Sequence, residues 1–248
     1  MLIYHRVGGR TSSPVDLPLE VFTAQLDHLV ELDRVVDLDT ALRILQDPAA
    51  DRGNGAPKVV LTFDDGTPDW ADVALPELVA RRLPATFYVA TDFIEQHRAF
   101  PDDGQPISWA GLSEMASTGL ATIGSHTHTH RVLANSDAAT TDDELGRSRE
   151  LIEDRLGVSC RHFAYPKAVA PSPAAETVVR RRYESATLAG NRPNHPGADV
   201  HRLGRHALTV ADSQESFVRK VDGGQRLEGL LRERRDASRT ARDGRDAG

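Results

Sequence analysis

Two short stretches of this chain hold residues that could do acid–base or metal chemistry together. The first is Thr62-Phe63-Asp64-Asp65-Gly66, two adjacent carboxylates where an apolar, β-branched run ends and a glycine lets the chain turn sharply. Parallel α/β folds place their sites at such strand ends. Taken alone, Asp-Asp-Gly is also an ordinary turn. The second is Gly124-Ser125-His126-Thr127-His128-Thr129-His130, again after a strand-like run, with two imidazoles four residues apart. If the segment makes a helical turn, that spacing aims His126 and His130 one way and turns His128 elsewhere. Two imidazoles and the Asp65 carboxylate would leave open positions on a divalent ion, as a catalytic site requires. Zinc is the first choice, and the mixed nitrogen and oxygen set also suits cobalt, nickel or manganese. Such an ion lowers the pKa of a water it binds toward ~7, and Asp64 stands next in the chain to accept the proton.

The elements that must position these residues alternate in type. Leu2 to Val7 reads as a strand, and Pro18 to Leu32 as a helix with Leu19, Phe22, Leu26, Leu29 and Val30 at helical spacing. A short strand at Val35-Val36 leads to a helix over Ala41 to Leu45 with Asp39 as N-cap, then to an exposed loop from Asp47 to Pro57. Strands follow at Lys58 to Phe63, Pro84 to Ala90, Leu120 to Gly124, His162 to Ala164 and Tyr183 to Leu188. Between them the pattern predicts helices over Trp70 to Arg82, Ser108 to Thr118, Asp137 to Leu156 and Ala174 to Arg182. Strand–helix units in this order imply parallel strands with right-handed crossovers, in an open sheet or a barrel. One catalytic domain is expected over residues 1–221. From 222 to 248 the chain turns to Gly, Arg and Asp and reads as a frayed helix and a disordered tail.

Composition narrows the function classes. The 248 residues suffice for one substantial core, and 30 Lys+Arg against 37 Asp+Glu leave a formal charge of -7, which offers no footprint for nucleic acid or an anionic membrane. Nothing approaches the roughly 18 to 20 uninterrupted apolar residues of a membrane helix. The start, Met1 to Val7, lacks the parts of an export signal, and the lone Cys160 reads as a small buried hydrophobe suited to a reducing compartment. The expectation is a cytoplasmic protein, with a secreted form trimmed of its signal as the alternative.

Thr62 to Gly66 followed by His126 to His130 resembles the polysaccharide deacetylases, carbohydrate esterase family four. Tyr4-His5-Arg6-Val7, Leu83 to Val89, Ser108-Trp109, Ile123 to His126 and Phe163-Ala164-Tyr165-Pro166 resemble that family in the same order, over about residues 2 to 210. The resemblance implies a single-domain, distorted (β/α) barrel with a metal at the mouth formed by strand C-termini. It implies Asp64 as catalytic base, Asp65, His126 and His130 as metal ligands, and hydrolysis of N-acetyl groups on an amino sugar or glycan. Tyr165, Pro166 and Lys167 match the substrate-groove motif, with the backbone N–H of Lys167 on the oxyanion. Trp109 could stack on a sugar face, although packing is the commoner role.

The chain departs from the family at two points. Ala164 stands where an arginine is common, and the late Leu-x-His motif is replaced by Leu203-Gly204-Arg205-His206. His206 is therefore the first candidate for the general acid, with His5 and His201 behind it. Two other readings stay open: hydrolysis of another small amide, and an inactive, metal-stabilised carbohydrate-binding module.

Overall fold

The short apolar runs become the staves of a closed barrel. In the computed structural model, which describes residues 1–51 and 56–223, β1 (Leu2–Tyr4) is followed by a small parallel pair, β2 (Arg6–Val7) and β3 (Asp16–Leu17). Helices α1 (Leu19–Leu32) and α2 (Leu38–Gln46) lead to β4 (Leu61–Asp65). Helix α3 (Leu75–Arg81), β5 (Ala85–Val89), α4 (Thr91–Glu95), α5 (Trp109–Ser117) and β6 (Ala121–Ser125) come next. The chain continues through α6 (Ala138–Leu156), β7 (His162–Ala164), α7 (Pro173–Arg182), β8 (Ser185–Ala189), β9 (Leu203–Ala207) and α8 (Gln214–Val221). Among the described residues, the seven strands β1-β4-β5-β6-β7-β8-β9 close into one parallel barrel, β9 pairing back onto β1. This is the expected (β/α) barrel in a single domain. No described helix is long and apolar enough to cross a membrane.

Strand alternation sorts β4 into two faces. Leu61 and Phe63 point out to the helices, where Phe63 stacks on Tyr4 at 5.1 Å and on Phe87 at 4.7 Å between ring centres. Trp70 closes this layer, and its indole N–H donates to the His5 carbonyl at 2.7 Å. Thr62 and Asp64 point inward, so the packed aromatic layer outside fixes the height at which the carboxylate stands inside. A glycine is needed one strand away: a Cβ on Gly124 would lie 2.8 Å from the His162 carbonyl oxygen, so it lets β6 approach β7 just before the histidine loop.

Several expectations shift for identifiable reasons. The strand expected over Leu2 to Val7 breaks at His5, because Arg6 N–H donates to Val15 and Val7 N–H to the Asp69 carboxylate, pulling the chain off the barrel. Asp37, not Asp39, caps α2 by accepting from Thr40 N–H. Asp39 lies in the first turn and pairs with Arg161. The helix expected from Trp70 begins with a wide π-turn over Trp70–Ala74, at the junction with Pro76, which has no N–H to donate. Val35-Val36 makes only an isolated bridge, Val35 to Val59. Ser108 and Asp137, the first residues of two expected helices, cap α5 and α6, and Gly157 ends α6 in the left-handed region. The expected tail, beyond Asp222 and Gly223, lies outside the described residues, as do residues 52–55 of the expected loop.

Candidate active site

Asp64 stands at the C-terminal end of β4, buried, with its carboxylate gripped by Arg205 of β9. Arg205 donates from one terminal nitrogen to Oδ1 at 2.7 Å and from the other to Oδ2 at 2.7 Å, and the first also reaches Thr62 Oγ1 at 2.9 Å. Both partners are nearly inaccessible, Arg205 at 0% and Asp64 at 4%. Burial alone would raise the carboxyl's pKa, but the guanidinium charge, then His126 and the hydrogen bonds from Arg205, outweigh it and hold the group below the usual carboxylate range. Asp64 is an anion of fixed orientation. A bidentate pair uses two of a carboxylate's roughly four lone-pair positions and leaves the rest to accept a proton.

Asp65 follows with a backbone that strand alternation does not provide. Its φ of 88° and the φ of 117° at Gly66 swing the second carboxylate toward the barrel mouth instead of the outer layer. Asp65 Oδ1 lies 3.6 Å from His126 Nε2 and 3.4 Å from His130 Nε2. One ligand atom from each of the three residues falls within 4.8 Å of the others. Zinc bonds of ~2.0–2.1 Å at a tetrahedral angle put neighbouring donors about 3.3 Å apart, so this donor set fits a divalent ion. Burial pushes the His126 imidazole down to about 4, which keeps it neutral as a ligand must be. Its Nδ1 faces the Ala164 carbonyl at 2.8 Å, directing Nε2 at the cluster.

The histidine loop is not the helical turn that four-residue spacing suggests. Thr127 at φ 64° and His130 at φ 61° are both left-handed, and two such kinks bring the His126 and His130 rings to 4.9 Å. His128 faces elsewhere, as expected, with Nδ1 against Thr91 Oγ1 at 2.9 Å.

The remaining predicted residues divide. His5 sits between β1 and β2, near enough to Asp64 and Asp65 for a positive charge there to help hold both carboxyls down, and among the described residues its Nδ1 is buried without a partner. Pro166 and Lys167 lie on a turn directly after β7, with Lys167 and Ala168 both left-handed at φ 55° and 53°. Tyr165 is fully buried against Phe163, its hydroxyl donating to the His201 carbonyl. Trp109 is fixed by a 2.7 Å bond to Glu95 and packs against the core. His206 is not brought to the cluster: it alternates with Arg205 and lines a cavity of about 630 Å³ with Met1, Leu38, Lys220 and Val221. Arg205 was the residue missed. A family-like Leu-x-His places its histidine two residues after the leucine, and that inward position, 205, holds an arginine in this chain.

A family model described as polysaccharide deacetylase matches residues 51–184. No curated protein matches the chain. Among solved structures, the Ammonifex degensii IcaB structure superposes with a TM-score of 0.75 at 26% identity, over 90% of this chain and 95% of that one. The Streptococcus pyogenes deacetylase PplD in complex with acetate gives 0.75 at 21%, over 88% and 96%. The polysaccharide deacetylase BC0361 from Bacillus cereus gives 0.70 at 22%, over 89% of this chain and 67% of that one.

Proposed function

The chain belongs to the polysaccharide deacetylase family, and from that premise we propose that it is a divalent-metal-dependent hydrolase that removes N-acetyl groups from an amino sugar or N-acetylated glycan. The observation that carries the reading is one assembly: Asp65, His126 and His130 within ligand distance of one another beside an Asp64 locked as an anion. Asp65 and the two histidines would hold the ion. When bound, zinc or a similar ion would supply Lewis acidity, polarising a carbonyl and acidifying water.

Asp64 takes the proton from the attacking water. Its low pKa makes it a modest base, and its merit is that Arg205 fixes it in one orientation and keeps it ionised. The Lys167 backbone N–H, on the turn after β7, is the candidate donor to the developing oxyanion. His5 replaces His206 as the candidate acid that returns a proton to the leaving amine, because it is the imidazole outside the ligand set whose charge bears on both carboxylates.

The experiment is acetate release by zinc-loaded protein from a panel of N-acetylated sugars and oligomers, with a chelated sample alongside. Chelator-sensitive release is expected. No release from any member by protein shown to bind zinc would move the reading to a different amide substrate or to an inactive glycan binder.

A further inference from the structure

The two histidines of the cluster are fixed in unlike ways. His126 is aimed directly by the Ala164 carbonyl on Nδ1. For His130, no such carbonyl lies on the second ring nitrogen among the described residues. Among the described residues its ring has an edge contact with Phe93 at 6.2 Å between centres, the His126 ring beside it and, on Nε2, the Asp65 carboxylate of the cluster itself. The position of His130 therefore depends on the backbone that carries it, and that backbone is strained at Thr127 and at His130 itself.

A side chain of α6 holds that backbone. Glu144, on the inner face of α6 and only 6% exposed, accepts from His128 N–H at 3.1 Å and Thr129 N–H at 2.9 Å through Oε2, and from the Thr129 hydroxyl at 2.7 Å through Oε1. Three donors from two consecutive residues converge on one carboxylate. Arg131 N–H to Thr127 Oγ1 closes the loop on itself, and the other side of the loop is tied to α4 by Asp92 N–H to the His128 carbonyl and by Thr91 Oγ1 against His128 Nδ1. Ser125 Oγ meets Ser148 Oγ at 2.8 Å one helical turn further on, so α6 grips the strand end and the loop together.

We infer that Glu144 is a positioning residue for the metal centre: by clamping residues 128 and 129 to α6 it sets where His130 stands relative to His126 and Asp65, and so sets metal affinity. The inference rests on the reading that these three residues bind a divalent ion. Its reach is that of an outer partner of a metal ligand, whose loss weakens binding by ~10–100-fold.

The test measures the zinc dissociation constant of the whole chain by competition with a chromogenic chelator, together with the melting temperature of the metal-free protein. Glu144→Ala is expected to weaken zinc binding by ~10–100-fold. Glu144→Gln, which keeps one carbonyl oxygen for the two N–H donors, is expected to recover most of it. Ile152→Ala, a buried change on the same helix away from the loop, is expected to lower the melting temperature without moving the zinc constant. If Glu144→Ala does not fold, Glu144→Asp, which draws the carboxylate back by one methylene, takes its place. A Glu144 variant that melts earlier yet binds zinc within twofold of wild type overturns the inference and leaves the metal site standing. A wild-type chain that binds no zinc overturns both.

Discussion

Arg205 and His206 are neighbours on β9, both buried, and they face different regions. Arg205 points into the barrel, where it meets the Asp64 anion with both terminal nitrogens, so that each charge of the pair has its counter-charge. His206 points to a cavity lined by Met1, Lys220, Asp51 and Asp222, where the charges that act on its ring are those of the Met1 amino group and Lys220, and among the described residues its Nδ1 has no partner. One step of strand alternation separates a group that can orient chemistry from one that the fold merely keeps neutral. Burial by itself therefore says little about function; a buried polar group counts when its surroundings favour one charge state and one orientation.

The sharpest way to break this contrast is to neutralise the anion that Arg205 holds. Asp64→Asn should lower turnover by ~10²–10⁴-fold, the range for a positioned proton acceptor, while the zinc constant stays near wild type. Acetate release and chelator competition on the same preparation check it, and equal loss of zinc would reassign Asp64 to the ligand set. Arg205→Met removes the other partner and leaves a buried, unpaired carboxylate. It should cost about 3–5 kcal/mol in denaturant unfolding, because stranding one charge of a buried pair is expensive. Arg205→Lys should recover part of the stability and less of the turnover, since an ammonium cannot grip both oxygens at once.

The next contrast is between two histidines. His5→Gln should reduce kcat by ~10²-fold or more if His5 protonates the leaving amine, whereas His206→Leu should leave kcat within about twofold. A rate profile against pH separates the roles: loss of the limb due to an acid is expected in the His5 variant alone. The reverse result would return the acid to β9 and undo the division drawn above.

Much of this was legible in the sequence because it depended on local chemistry. The strand ending at Asp64-Asp65-Gly66, the capped helices at Ser108 and Asp137, and the His126–His130 pair each carry their signal within a few residues. What could not be read depended on partners distant in the chain. Arg205 stands 141 positions from Asp64, and only barrel closure, with β9 returning to β1, brings them together. With Gly204 and Arg205 inside it, β9 has too weak a strand pattern to announce that closure. The loop after His126 is not legible for another reason: four-residue spacing fits a helical turn and a doubly left-handed loop equally well, and contacts with α4, α6 and β7 make the choice. Glu144 was invisible on the same ground, an acid among others on a polar helix until the loop folds over it.

The smallest effect concerns stability and the outer region alone. Burial depresses the His206 imidazole to about 4, against an ordinary value of about 6.5, so the folded protein disfavours the proton that the unfolded chain accepts. Between pH 6.5 and 4 the unfolded state binds more protons, so the stability due to a neutral His206, full above pH 6.5, is lost as pH falls through that window. By pH 5 the loss is about 2 kcal/mol. His162 is also buried with its pKa lowered, and its contribution has the same sign, so wild-type stability alone does not isolate His206. The difference between wild type and His206→Leu does: their unfolding free energies should converge or cross between pH 7 and 5, with the leucine variant flatter. Parallel curves would mean that His206 takes up a proton in the folded state at little cost, that its cavity admits water or a counter-ion, and that the outer region is less sharply distinguished from the site than its charges imply.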